Sequence, residues 1–311
     1  MKLFTLSILL IFSYVKVLIA LETKTTTPIR RLISIRDHYR DELRKRQEDQ
    51  IESQSQVHRH TPYADHPDWF YLNDQEWYKI DPTQQDHMRF HAYLAMSVYG
   101  DFMSTCSQTF LKGFTVLQTF EGGYIAHIPE MARDTIKFED IVSGCSGCQV
   151  AKGIKELYLS IRSSTNDFSI AKQAVAQTGL LFSVTGHGIG GSIAALAGMD
   201  LGARNYVHYS HNFGMPRTFN MAAVMKYDNL FQVLAGQSVV ARNDFSVHIV
   251  PLGALVHVGS KAHITGDRTQ WLQNCFGDNE DPTCLGDGSS QVDHKYYFTP
   301  LGQCGSANKG F

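Results

Sequence analysis

The 311-residue sequence lacks a strong bias of charge: 28 Lys and Arg residues and 30 Asp and Glu residues give a formal net charge of −2. A nucleic-acid-binding protein would show a basic balance or patch, so the composition argues against that class. The chain also lacks the low hydrophobicity of a disordered protein, because 43% of its residues are hydrophobic. Neither an internal repeat nor a low-complexity segment is present. The composition therefore indicates one or two folded domains with a sizeable core.

No apolar run is long enough to cross a membrane comfortably, since a spanning helix needs about 20 apolar residues. The apolar run at residues 3–15 follows a short basic start and leads to Ala20. This pattern is typical of a secretory signal peptide over residues 1–20, cut near Ala20. An uncleaved signal anchor is the alternative. We expect a secreted, extracellular protein.

Residues 21–85 differ from the rest of the chain. Sixteen of the forty residues at 21–60 are Asp, Glu, Lys or Arg, against 19% for the whole sequence. This segment is either a propeptide released at the dibasic pair Lys45 and Arg46 or a solvated, charge-rich helix. We expect residues 61–85 to form an extended arm. The main domain is expected over residues 86–311.

Secretion favours disulfide bonds, and the chain has an even number of cysteines. Cys145 and Cys148 form a CxxC pair. Such a pair can be a redox or zinc motif in the cytosol, but there is no second pair and no clustered His in the sequence to complete a zinc site. A short structural disulfide is the better interpretation. No Asn-x-Ser/Thr sequon occurs, so we expect no N-glycosylation.

From residue 86 onwards, segments with helical periodicity alternate with short apolar segments typical of buried strands. This alternation predicts an α/β fold with a mostly parallel sheet. We predict helices at residues 89–99, 149–160, 170–178 and 192–201, and strands at 123–128, 180–185, 207–213 and 239–242.

The most informative stretch is residues 180–198, where an apolar strand runs into a glycine-rich turn and then a helix. Gly186, Gly188 and Gly190 have the spacing of the nucleophile elbow G-x-S-x-G. In that turn the central side chain projects over the sheet. The next backbone N–H, here that of Ile189, points at an oxyanion.

The elbow, VTGHGIGG, resembles that of the class 3 fungal lipases and their feruloyl-esterase relatives, which reads VTGHSLGG. Other segments resemble family motifs in the same order, over roughly residues 90–305. These are residues 213–220 (FGxPRxGN), 243–251 (NDxVPxLPP), 257–259 (HxG) and 293–298 (DHxxYF). The resemblance implies an α/β-hydrolase fold with a mostly parallel central sheet flanked by helices. It also implies the disulfides Cys106–Cys304, Cys145–Cys148 and Cys275–Cys284.

Carried over residue by residue, the resemblance makes Asp244 the catalytic acid and His294 the general base. The nucleophile position is Gly188, which has no hydroxyl and cannot form an acyl-enzyme. We do not expect Ser183 or Ser192 to point at His294. His187 is expected to pack or hydrogen-bond rather than attack. A water activated by His294 and Asp244 is a further alternative.

The second oxyanion donor also departs from the family pattern. Aligning residues 124–128 with the family's early strand puts Met131 where a Ser or Thr of the oxyanion turn belongs. Met131 has no hydroxyl to donate. The span from Cys106 to the elbow is also shorter than is usual in the family.

These observations favour a secreted, lipase-like pseudoenzyme that acts by binding. One alternative is an active carboxylic-ester hydrolase, a triacylglycerol lipase or feruloyl-type esterase in lipid or ester metabolism. The second alternative is binding of a lipid or carbohydrate in the cleft that holds the substrate in the family's enzymes. We expect no cofactor and no metal. We also expect no nucleic-acid partner and no transmembrane segment; a lipid or ester ligand fits the cleft, and the sequence points to no particular protein partner.

Overall fold

The computed structural model describes residues 7–12, 16–22, 82–100, 114–121, 134–178, 181–231, 235–265, 271–275 and 279–303. All of these residues belong to one compact unit. The strand predicted at 123–128, Met131, the Cys106–Cys304 disulfide and nearly all of the extension at 21–85 lie outside the described residues.

A mostly parallel sheet forms the centre of this unit, as the sequence predicted. Among the described residues it has eight strands, in the order β10-β9-β8-β7-β6-β1-β2-β3. β1, β6, β7, β8 and β9 pair in parallel, whereas β2, β3 and β10 pair with their neighbours in antiparallel register. Two further pairs of strands, β4-β5 and β11-β12, form small sheets of their own. The strands of all three sheets are β1 (Ser7–Phe12), β2 (Lys16–Glu22), β3 (Phe114–Glu121), β4 (Thr135–Lys137), β5 (Gln149–Ala151), β6 (Phe182–His187), β7 (Val207–Phe213), β8 (Gln237–Ala241), β9 (Ser260–Thr265), β10 (Trp271–Asn274), β11 (Tyr296–Tyr297) and β12 (Thr299–Pro300).

Helices cover both faces of the sheet, and the two larger hydrophobic clusters of the described residues lie beneath them. α1 packs on one face, with Met88 and Met96 against Phe213 and Tyr297. α2 and α4 pack on the other face. The helices are α1 (Pro82–Ser97), α2 (Lys152–Ser164), α3 (Ser169–Thr178), α4 (Ile189–Ala203), α5 (Met221–Leu230), α6 (Pro282–Leu285) and α7 (Gln291–His294), with a 3₁₀ helix at Phe245–His248. Within the described part of the chain, no helix combines the length and hydropathy that a bilayer crossing requires.

The central helix α4 packs unusually close to the sheet because its sequence is rich in small residues. It is buried throughout residues 189–201. A Cβ at Gly198 would lie 2.7 Å from Ser210 Oγ on β7, so only glycine allows this approach. The helix spans Ile189–Ala203, so it is longer than the predicted 192–201, and it starts almost directly after β6.

One predicted element is wrong at its start. Residues 149–160 were expected to be helical, but Gln149–Ala151 form strand β5 and the helix begins at Lys152. The physical reason is long-range pairing: the Gln149 N–H donates to Asn220 Oδ1 at 2.9 Å, and the Ala151 N–H donates to Thr218 O at 2.9 Å. These bonds hold the backbone extended before the helix can start.

The segment predicted as a signal peptide overlaps β1 and β2. β1 pairs in parallel with β6 over five residues, from Ile8 opposite Phe182 to Phe12 opposite Gly186. β2 joins β1 to β3. The signal peptide stays a prediction, and removal of residues 1–20 would take away β1 and most of β2.

Candidate active site

The strand β6 turns sharply into α4 at one residue. Gly188 has φ of 57° and ψ of −127°, a conformation that favours glycine. Its N–H donates to Phe213 O at 2.9 Å, and its carbonyl accepts from the Gly191 N–H at 2.9 Å. The turn thus has the strand–turn–helix context that the elbow pattern requires.

The glycines around this turn are needed for different reasons. A Cβ at Gly186 would overlap the Gly190 carbonyl, and a Cβ at Gly191 would lie 3.2 Å from Asn212 Cβ. These residues let strand and helix meet. At Gly188, in contrast, a Cβ would lie 3.4 Å from both Cε1 and Nε2 of His294, an ordinary contact distance. A side chain at residue 188 would therefore have room and would face the His294 ring.

Asp244 is held in place just after the end of β8. It is the N-cap of the 3₁₀ helix, and its Oδ1 accepts from the Ser246 N–H at 2.7 Å. The Ser246 hydroxyl donates to Gly214 O at 2.7 Å. A Cβ at Gly214 would lie 2.5 Å from Asp244 Oδ2, so a glycine there makes space for the carboxylate.

His294 ends the short helix α7, whose start is fastened to the Asp244 loop. Ser290 caps α7 by accepting from the Asp293 N–H at 3.0 Å. The Ser290 N–H donates to Asn243 O at 2.8 Å, and the Phe245 N–H donates to Ser290 O at 3.3 Å. These bonds bring the His294 ring to Asp244, with Nδ1 3.0 Å from Oδ2.

Electrostatics keep Asp244 ionised in this buried position. Burial acts to raise its pKa, but hydrogen bonds with His294, Tyr297 and the Ser246 N–H outweigh burial and hold the pKa below its ordinary value. The Tyr297 hydroxyl donates to Oδ2 at 2.5 Å and itself accepts from the Ala241 N–H at 3.1 Å. Burial and the neighbouring carboxylate raise the pKa of Tyr297 well above its usual range, so this hydroxyl remains a donor.

The Asp244–His294 pair has the geometry of a general base, but residue 188 carries no hydroxyl whose proton His294 could accept. Asp244 orients His294 through Nδ1, which leaves Nε2 directed at the space over Gly188. Asp244 is fully buried, whereas the His294 side chain is 20% exposed and can meet solvent. The structure therefore brings together Gly188, Asp244 and His294, the three residues that the sequence singled out.

The comparisons with known proteins agree with this geometry. Residues 123–253 match the model of the class 3 lipase family, a region that includes Gly188 and Asp244. Over these residues the chain is similar to the class 3 lipases. Solved structures of fungal lipases have the same α/β-hydrolase fold at low sequence identity.

Three of these solved structures show how far the similarity in fold extends. A lipase from Yarrowia lipolytica, Lip2, has a TM-score of 0.60 and 17% identity over 73% of this chain and 98% of its own. A lipase from Rhizopus microsporus var. chinensis has a TM-score of 0.58 and 18% identity over 73% and 91%. The Rhizomucor miehei lipase propeptide complex has a TM-score of 0.55 and 18% identity over 73% and 84%.

His187 lies against His294, and both of its ring nitrogens form hydrogen bonds. Its Nε2 lies 2.9 Å from His294 O, so Nε2–H donates there, and Nδ1 lies 2.9 Å from the Tyr99 hydroxyl, which donates to it. The two imidazole centroids are 4.4 Å apart. Burial, with a smaller effect of His294, lowers the pKa of His187 to about 3, so the ring is neutral.

Two tyrosines at the site were missed by the sequence analysis. The Tyr99 hydroxyl lies 4.0 Å from the Cβ position of residue 188, and the Tyr297 hydroxyl bonds Asp244. Tyr297 lies within the DHxxYF segment and was available as a signal. Tyr99 follows α1 and lies 88 residues before His187, with no motif to mark it.

The candidate substitutes for the missing hydroxyl are directed elsewhere. The Ser192 hydroxyl is fully buried and hydrogen-bonds Thr218 Oγ1 at 2.6 Å on the far side of the turn. Ser183 lies in β6 opposite Tyr209, four residues before His187. Ile189 is the first residue of α4, so its N–H lies at the helix start as expected, and its oxyanion role stays a prediction.

Proposed function

We propose that this chain is a secreted, lipase-like protein that does not hydrolyse esters through an acyl-enzyme and instead binds an acyl or ester ligand beside His294. The observation that carries the proposal is the absence of a side chain at residue 188. The base faces that residue across a gap that would hold a serine, and Gly188 offers no atom for covalent attack.

The loss of turnover expected without a nucleophilic serine is large enough to support inactivity. Removing the serine of such a triad costs about 10⁶ in turnover. What remains is about 10³–10⁴ over the reaction in water, from binding and oxyanion contacts. The oxyanion contacts would themselves be weakened, because Met131 stands where the resemblance puts a hydroxyl residue.

Aromatic side chains near the base favour an acyl ligand. The Phe245 ring lies 5.3 Å from the His294 ring, and Tyr99 is 37% exposed with its hydroxyl beside Gly188. An apolar surface next to a polar, hydrogen-bonding ring suits a molecule with an acyl chain and an oxygen-rich end. One of the similar structures is entitled a triacylglycerol lipase, which agrees with this ligand class.

Secretion is supported by the signal-like run at residues 3–15 and by the disulfides Cys145–Cys148 and Cys275–Cys284. Disulfides persist in oxidising compartments.

A second function rests on the intact base. His294 and Asp244 keep a 3.0 Å hydrogen bond, and this pair could activate a water for slow ester hydrolysis. Such hydrolysis would depend on His294 but would leave no covalent adduct.

The test compares the full chain with Gly188→Ser, Gly188→Ala, His294→Ala and the double variant Gly188→Ser/His294→Ala. We measure hydrolysis of short- and long-chain nitrophenyl esters and covalent labelling by a serine-reactive phosphonate. We expect no labelling of the natural chain. Gly188→Ser should gain one adduct and a rate at least ~100-fold above Gly188→Ala, and the double variant should lose the gain.

The outcomes separate the two functions. An adduct on the natural chain overturns the proposal. Turnover by the natural chain that is abolished by His294→Ala supports the water route instead. For the binding half, saturating decanoate should raise the melting temperature of the natural chain by several degrees, and an unchanged melting temperature counts against an acyl ligand.

A further inference from the structure

Three histidines converge on the face of the sheet that α1 covers. His87 and His91 are four residues apart on α1, and His211 lies in β7. One ring nitrogen from each lies within 4.8 Å of the others. The Nε2 atoms of His87 and His91 are 3.1 Å apart.

Helix and strand geometry explain the convergence. Residues four apart on a helix share a face, so His87 and His91 both point at the sheet. His211 and Phe213 alternate onto that same face of β7. Thr185 Oγ1 lies 3.5 Å from His91 O, which fixes α1 over β6 and β7.

The cluster is separate from the candidate active site. Phe213 packs against Tyr297, which bonds Asp244. His211 lies two residues before Phe213, about 7 Å along the strand. No residue of the cluster is needed for the geometry around Gly188.

Two of the three rings are buried without the partners that buried imidazoles need. His211 is fully buried, and neither of its nitrogens has a hydrogen-bond partner among the described residues. His91 is 1% exposed, and its Nδ1 is also without a partner there. Buried polar atoms in folded proteins are almost always bonded, so the His211 ring calls for a ligand, and His91 faces the same cluster through Nε2.

The cluster supplies the right kind of donor for a metal. A neutral imidazole is a ligand, whereas an imidazolium is not, and burial of His91 and His211 disfavours the charged form.

We propose that His87, His91 and His211 bind one zinc ion. Tetrahedral zinc with bonds of about 2.0–2.1 Å places its ligand nitrogens about 3.3 Å apart, close to the 3.1 Å between His87 and His91. Imidazole is a preferred ligand of zinc. His87 is the one partly exposed member of the three, so a fourth ligand, a water, approaches past its ring.

The sequence analysis expected no metal because these ligands are far apart in the chain. His91 and His211 are separated by 120 residues. The His-x-x-x-His pair His87 and His91 was the signal available, but the predicted helix at 89–99 contained only His91, and the pair by itself is weak.

The experiment uses the full chain without a polyhistidine tag, stripped with a chelator and dialysed. Zinc affinity is measured by competition with a chromogenic chelator, and cobalt is used as a spectroscopic substitute. We expect one zinc per chain and the absorption of tetrahedral cobalt. His87→Gln, at the partly exposed ligand, should weaken zinc binding more than about 100-fold, since even outer ligand contacts are worth 10–100-fold.

A matched control is His263→Gln, which changes a partly buried histidine in β9, outside the cluster. This variant should bind zinc like the natural chain. Circular dichroism checks that His87→Gln is folded. His91→Gln, which removes a buried ligand, should also weaken zinc binding. Less than one zinc per chain in the natural protein, or equal affinity in His87→Gln and the natural chain, overturns the proposal.

Discussion

Burial of His187 makes the stability of the fold depend on pH. Its pKa falls from 6.5 to about 3 on folding, chiefly through burial. Below pH 6.5 the unfolded chain binds a proton at this residue and the folded chain does not, down to about pH 3. His187 therefore stabilises the fold fully above pH 6.5, and this stability is lost as the pH falls.

The expected loss can be measured against His187→Gln, which keeps one donor and one acceptor. Between pH 7 and pH 5 the free energy of unfolding of the natural chain should fall by about 2 kcal/mol more than that of the variant, at about 1.4 kcal/mol per pKa unit. Urea unfolding at both pH values gives the difference. Equal slopes for His187→Gln and the natural chain would contradict the assignment.

Single residues were predictable where their motif is local. Gly188, Asp244 and His294 each lie in a short segment with a recognisable pattern, so their meeting could be expected before the structure. Tyr99 and the cluster of His87, His91 and His211 could not, because each depends on how α1 crosses the sheet. That crossing is set by packing and not by local sequence.

At the scale of elements, the sequence predicted best where burial is complete. α4 is rich in apolar and small residues, continuous in sequence and buried over residues 189–201, so its composition identifies it. β5 was missed because its amides bond to Asn220 and Thr218, about seventy residues away. Local periodicity carries no information about such partners.

The Cys275–Cys284 disulfide ties the edge strand β10 to α6. It closes a loop with a sequence separation of nine residues. That loop carries Glu280, which bonds Arg217 Nε at 2.8 Å and the His257 N–H at 2.8 Å. Burial would raise the pKa of Glu280, but its bonds to His257 and Arg217 lower it to about 2.

Replacing Cys275 and Cys284 together by Ser should lower the free energy of unfolding by about 2–3 kcal/mol from loop closure, with a further loss if Glu280 loosens. The matched control is the double Ser variant of Cys145 and Cys148, whose separation of three residues closes a much smaller loop. Its loss should be smaller, about 1–2 kcal/mol. Urea denaturation measures both, and the reverse order would contradict the entropic account.

For the whole molecule, the N-terminal segment has two roles that exclude each other. As a signal peptide, residues 1–20 leave on export. As β1 and β2, the same residues connect β6 to β3 and cover the edge of the strand that leads to Gly188. An open β6 edge would expose unpaired backbone groups that favour aggregation.

The two roles predict different stabilities for a chain that begins at Leu21. Five residue pairs join β1 to β6, and backbone hydrogen bonds contribute about 0.5–1.5 kcal/mol each. If the hairpin is part of the mature fold, the shortened chain should be about 3–5 kcal/mol less stable than the full chain and should aggregate at lower concentration. Urea unfolding and size-exclusion chromatography compare the two, and a variant in which Leu10 is replaced by Pro tests the pairing without shortening the chain, because proline removes a ladder donor. Equal stability of all three would show that β6 needs no neighbour from this segment, and it would leave residues 1–20 free to act as a cleaved signal.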